Sequence, residues 1–170
     1  MDNRLITYKL IILYMLDRVD FALTNSQISQ FILDKGYTDY FTLQETINEL
    51  LESCFINSKI IRNVSHYEIT KAGHEAMDLF DTKLSDAIKL DILHYFEINK
   101  ILLKNEVSIY ADYAPCNSSA GYDVMCTIKD KNDTILDLKI MLPTKDRAIE
   151  ICDAWSERSQ EIYDYLVKNL

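Results

Sequence analysis

Apolar positions along the chain change their period near the middle. From Arg4 to Asp17 they recur at helical spacing, with Leu5, Tyr8, Ile12, Met15 and Leu16 on one stripe and Ile6, Leu13 and Val19 widening it. Phe21 to Leu23 suits a very short strand. Thr24 and Gln27 stand as a capping box ahead of Ile28, Phe31 and Ile32, and Gly36 ends the helix that follows. Thr42 and Glu45 repeat the box, and Leu43, Ile47, Leu50, Leu51 and Cys54 fall on one face of a third helix. Two apolar runs, Phe55 to Ile61 and Tyr67 to Ile69, flank Asn63 to His66 and predict a β-hairpin. Thr70 then caps a fourth helix, with Ala72, Ala76, Met77 and Phe80 turned inward.

The second half begins with a helical stretch, Lys83 to Leu103, whose apolar residues occupy more than one face. Such a helix needs cover on two sides, between the halves of the chain or between two copies of it. The period then becomes two. Val107 to Tyr113, Tyr122 to Ile128 and Leu136 to Leu142 alternate apolar with polar residues, separated by Pro115 to Gly121 and Asp130 to Asp133. That pattern predicts a three-stranded antiparallel meander with one buried face. After Pro143, Thr144 opens a last helix whose stripe of Ala148, Cys152, Trp155, Ser159, Ile162 and Leu166 can cover the sheet.

The fold class is therefore α+β. Residues 1–82 read as a winged helix, a helix-turn-helix with the hairpin as its wing, and residues 83–170 as an α+β domain for dimerisation or sensing. The segments LTNSQISQFIL (Leu23 to Leu33), YTDYFTLQETINELLESCFI (Tyr37 to Ile56) and YEITKAGHEAMDLF (Tyr67 to Phe80) resemble a bacterial winged-helix family of unknown function, related to PadR-type and MarR-type regulators. AIEICDAWSERSQEIYDYL (Ala148 to Leu166) resembles its C-terminal helix, so the likeness spans nearly the whole chain. The resemblance implies a transcription regulator with no assigned target or ligand. It departs at Cys54, where many winged helices carry Gly. A left-handed Cys costs about 1 kcal/mol relative to Gly, so the end of the third helix is expected to be built differently.

A winged helix that reads duplex DNA would place its third helix in the major groove. Tyr40, Thr42, Gln44 and Asn48 are then the candidates for base edges. Lys59, Arg62 and His66 of the wing and Lys71 beyond it are the candidates for phosphates, with Arg4 and Lys9 nearby on the first helix. Charge opposes this reading. The net charge is −9, and no Lys or Arg lies between Lys35 and Lys59. The outer side of the third helix carries Glu45, Glu49 and Glu52, with Asp39 just before it. Phosphate neutralisation supplies most non-specific affinity for DNA. Glu45 can fold back onto its own cap and Glu52 can point away, whereas Glu49 has no such escape. The reading taken from the motif is a homodimeric DNA-binding regulator; the alternatives are a protein-interaction module that leaves DNA alone and a ligand sensor acting through the second half.

Other chemistry finds less support. Cys54, Cys116, Cys126 and Cys152 form no C-x-x-C pair and have no His at ligand spacing, so neither a metal nor a cofactor is expected. His66, His74 and His94 are scattered, and Ser118 and Ser119 beside Cys116 suggest a loop, so no catalytic role is assigned. Tyr110, Tyr122, Trp155 and Tyr163 are the residues that could line an effector pocket in the second half, although core filling explains them more simply. The apolar stretch Leu10 to Leu16 is too short for a membrane helix and lacks a cleavage site, so a cytoplasmic protein is expected. The Lys83 to Leu103 helix and the Trp155 helix hold more apolar surface than a small sheet hides, which makes them the expected dimer surfaces.

Overall fold

The computed structural model describes residues 3–117, 120–131 and 133–170. Six α-helices and two three-stranded sheets make up the chain among these residues. They group into two compact units, one of residues up to Ile60 together with Val64–Lys104, the other of Ile61–Asn63 and Asn105–Leu170.

The first unit is built around α1 (Asn3–Asp17). Its run Leu10 to Leu16 is buried on every side, a more complete enclosure than one apolar stripe predicts. The strand β1 (Leu23–Thr24) ends one residue later than expected. Thr24 then caps α2 (Asn25–Asp34) with both arms of the predicted box, Gln27 N–H to Thr24 Oγ1 at 3.2 Å and Thr24 N–H to Gln27 Oε1 at 3.0 Å. Gly36, at φ +67, closes the helix: its N–H donates to the Leu33 carbonyl and that of Tyr37 to the Ile32 carbonyl.

The third helix, α3 (Tyr40–Glu52), starts earlier than the Thr42–Glu45 box implies. Asp39 is the cap. Its carboxylate accepts from the Thr42 N–H at 3.0 Å and from the Thr42 hydroxyl at 2.7 Å. Asp is a better cap than Thr, and the earlier start adds most of a turn of backbone hydrogen bonds. Glu45 therefore has no cap to fold onto and lies exposed.

The other end of α3 corrects a second expectation. Cys54 sits at φ +58, with its N–H on the Leu51 carbonyl and the Phe55 N–H on the Leu50 carbonyl. This is the same closure that Gly36 gives α2, made here by a residue with a Cβ. Replacing Cys54 by Gly removes that strain, and we expect Cys54→Gly to raise unfolding stability by about 1 kcal/mol, read from the urea midpoint at constant m. An unchanged or lowered midpoint would show that the exposed thiol offsets the backbone cost.

The hairpin pairs β2 (Ile56–Ile61) with β3 (Val64–Ile69), and β1 joins β3, giving the order β1-β3-β2. Its turn is Arg62–Asn63, not the predicted Asn63 to His66. Both residues have positive φ, +47 and +62, as a two-residue hairpin of native twist requires. Thr70 caps α4 (Lys71–Phe80) as predicted, accepting from the Gly73 N–H at 3.1 Å. After a 3₁₀ turn at Asp81–Lys83, α5 runs from Asp86 to Ser108. Val107, expected in a strand, is buried in its last turn. Asp91 on α5 holds the α2–α3 connection, accepting from Lys35 Nζ at 2.8 Å and the Tyr37 hydroxyl at 2.6 Å. Those two hydrogen bonds keep its carboxyl below the usual range, while burial and the Asp91 contact push the Tyr37 phenol upward.

The second unit is the expected meander. β4 (Ile109–Pro115), β5 (Tyr122–Asp130) and β6 (Asp133–Leu142) pair antiparallel in sequence order, with a register shift at Ile128/Lys129. α6 (Lys145–Asn169) covers one face. Its Ala148, Cys152 and Trp155 meet Ala111, Val124 and Cys126 in a buried cluster, and the Trp155 indole N–H donates to the Thr127 carbonyl at 3.1 Å.

Candidate functional site

α3 gathers the residues singled out for base contact, and its neighbours show how far each is available. Tyr40 is 48% exposed, and Asn48 faces solvent. Thr42 is half-buried, its hydroxyl given to Asp39. Gln44 is half-buried and donates to Asn25 Oδ1 at 3.1 Å, tying the first turns of α2 and α3 together. Sequence reasoning passes over Phe41, which is 84% exposed beside Tyr40, with ring centroids 6.1 Å apart. The signal for it is the Asp39 cap: once α3 starts at Tyr40, Phe41 falls on its outer side.

Around the aromatic pair the charges are mostly acidic. Glu45 and Glu52 are exposed. Glu49, the carboxylate for which the sequence offers no relief, is paired to Lys9 of α1 at 2.5 Å. This contact neutralises Glu49 and engages Lys9, one of the cations expected near DNA.

The hairpin cations separate into two groups. Lys59 and Lys71 are exposed, with Lys71 only 3.9 Å from Glu75. Arg62 is paired and His66 is buried. The Arg62 guanidinium donates to Asp153 Oδ1 at 2.9 Å, and its backbone N–H to Asp112 Oδ2 at 3.2 Å. His66 is 8% exposed, and burial, with Lys59 adding to it, lowers its pKa. Little of the ring is left open to a phosphate. Arg4 is exposed on α1.

The candidate effector aromatics are not brought together. In the β4–β5 register Tyr110 opposes Thr127, whereas Ala111 opposes Cys126. Tyr110 therefore stands on the sheet face opposite the one α6 covers. Tyr122 lies on the covered face, 6.2 Å from the Tyr113 ring, and Trp155 fills the core. Tyr163 is half-buried on α6. Trp155 is likewise spent within its own unit; the exposed large apolar residues at the far end of α6 and just beyond it are Tyr165, Val167 and Leu170.

Among the described residues no group of His, Cys, Asp and Glu could hold a metal ion, and no helix is long and apolar enough to cross a membrane. All four cysteines are free thiols. Burial pushes the Cys126 thiol up to about 11 and raises that of Cys152 as well, so both remain protonated at neutral pH. Ser118 and Ser119 lie outside the described residues.

A family model described as a domain of unknown function, DUF4364, matches residues 8–170. The chain belongs to this family. No curated protein and no solved structure matches the chain. DUF4364 membership brings no activity with it, so the reading of function rests on the α3 face itself.

Proposed function

We propose that the first unit is a winged helix, akin in architecture to PadR- and MarR-type regulators, that acts as a non-catalytic binding module and presents the outer face of α3 to a protein partner. The α2–α3 pair, the hairpin after α3 and the sheet order β1-β3-β2 support that architecture. The observation that carries the choice of partner is the first turn of α3, where Tyr40 and Phe41 stand exposed next to Glu45. Exposed aromatics gain free energy by entering a pocket on another protein, and residues of this kind anchor protein interfaces. The matching surface is apolar with a basic rim. Free cysteines suit a cytosolic setting.

Duplex DNA is the second reading, supported by exposed Asn48 on α3 and by exposed Lys59 and Lys71 near the hairpin. Its difficulty is quantitative. Each phosphate neutralised contributes about −0.9 to the slope of log K against log salt, and Arg62 and Lys9 are paired with carboxylates while His66 is buried. Fluorescence anisotropy with a labelled mixed-sequence duplex, between about 50 and about 200 mM salt, separates the two. At most weak binding is expected, unchanged by Lys59→Glu or Lys71→Glu. Tight, steeply salt-dependent binding that either variant abolishes would overturn the protein-partner reading in favour of DNA.

A further inference from the structure

The meander leaves a long edge open. In the order β4-β5-β6, β6 stands at the border, with a strand on one side only among the described residues. An edge strand presents a row of unpaired N–H and C=O groups to any chain that can lie beside it. From Leu136 to Leu142 this row is regular, in step with β5 and without proline. Ile135 is the extra residue where the register shifts, and Pro143 follows the strand. The side chains of β6 are poorly covered as well. α6 lies over β4 and β5 more than over β6. Leu136, Leu138 and Leu142 are half-buried against the core cluster, and Ile140 and Met141 are 38% and 61% exposed. On the opposite face from Leu138, Asp137 and Lys139 are exposed.

We propose that β6 pairs antiparallel with β6 of a second copy of the chain, about a two-fold axis through Leu138 and normal to the sheet, so that two meanders continue as one six-stranded sheet. This interface uses neither of the helices on which the sequence places dimer surfaces. The observation that selects a second copy is how β6 matches itself. Such an axis sets one residue opposite its own equivalent and pairs the flanking residues symmetrically. With Leu138 on the axis, Asp137 of each copy faces Lys139 of the other, and Leu136 of each faces Ile140 of the other. Moved by one residue, the axis sets Asp137 against Asp137 or Lys139 against Lys139, and like charges directly opposite destabilise a strand pair. Moved by two, it sets Asp137 against Ile135 or Lys139 against Met141. Only the register centred on Leu138 satisfies both charges and both apolar positions. Each charge has capacity for a second contact. The Lys139 ammonium holds Asp123 at 2.8 Å with one of its three N–H groups, and Asp137 accepts from the Thr127 hydroxyl at 2.6 Å through one of its two oxygens. An unrelated extended peptide could use the same backbone edge, but it has no need of opposite charges spaced about Leu138.

The full chain, of mass 19.8 kDa, tests this directly. Light scattering at tens of micromolar is expected to give twice that mass. Hydrogen exchange of the wild type should show the outward amides between Leu136 and Ile140 protected at that concentration and released on dilution to the monomer. Asp137→Lys and Lys139→Asp should each weaken the dimer about tenfold by opposing like charges, and the double exchange should restore it, with circular dichroism spectra unchanged throughout. A monomeric wild type, or a dimer whose β6 amides ignore dilution, would overturn the edge pairing. A double exchange that binds no more tightly than the single changes would overturn the register centred on Leu138. None of these outcomes depends on what the α3 face binds.

Discussion

Trp155→Ala is expected to lower the stability of the second unit by about 4 kcal/mol. The side chain is 3% exposed and lies in the buried cluster between the meander and its covering helix, against Ala111, Val124, Cys126, Ala148 and Cys152. Its fully buried neighbours are small and cannot swing in far, and the larger Ile, Leu and Tyr side chains around them refill the space only in part, so a cavity remains. The indole N–H also holds the Thr127 carbonyl, and this bond goes with the ring. Trp155→Phe separates the two contributions. It keeps most of the volume, loses the hydrogen bond, and should cost about 1.5 kcal/mol. Urea unfolding followed by far-ultraviolet circular dichroism measures both. Equal losses for Phe and Ala would mean that the hydrogen bond, and not packing, dominates.

Gly73→Ala should cost about 3 kcal/mol, although Ala is ordinarily the better helix former by about 1 kcal/mol. The reversal of sign comes from one close approach. A Cβ on Gly73 would overlap the Phe55 carbonyl oxygen and come within 2.7 Å of Ile69 Cγ1. The carbonyl cannot withdraw freely, because it accepts from the Thr70 N–H at 3.0 Å, while the Thr70 hydroxyl donates to the adjoining Cys54 carbonyl at 2.7 Å. Thr70 caps α4 with the same hydroxyl oxygen, through the Gly73 N–H. The T-x-x-G motif is therefore a mechanical unit: Thr ties the end of the hairpin to the start of α4, and Gly leaves room for the carbonyl so tied. Intrinsic helix propensity does not govern such a position. The urea midpoint of Gly73→Ala decides it, and a midpoint at or above wild type would refute the close approach.

Features that depend on neighbours in the chain are legible in the sequence. Thr24 with Gln27, and Thr70 with Gly73, announce helix starts because a cap reaches only three residues. The alternation in β5 and β6 announces strands because one face must be buried. Where two local signals compete, the sequence is ambiguous. Asp39 and Thr42 can each cap a helix, and the later start leaves Phe41 outside it. The turn at Arg62–Asn63 is hidden because Arg in a left-handed conformation is uncommon, and Asn63 alone suggests a later turn.

The candidate site is harder to read because its electrostatics are non-local. Glu49 is relieved by Lys9, forty positions away, and Arg62 is engaged by Asp112 and Asp153 from beyond α5. His66 is buried next to Tyr67 in β3, the strand that takes the place of the expected turn. A census of charges in the sequence counts these groups as available; contacts remove them.

The most direct test of the α3 face replaces Phe41 with a photo-crosslinking phenylalanine analogue in living cells. Position 41 is exposed, so the substitution leaves the helix intact. Irradiation is expected to yield a discrete protein adduct that disappears when Tyr40 is also changed to Ser. Adducts that are destroyed by nuclease and resist protease would contradict the account and assign the same face to DNA.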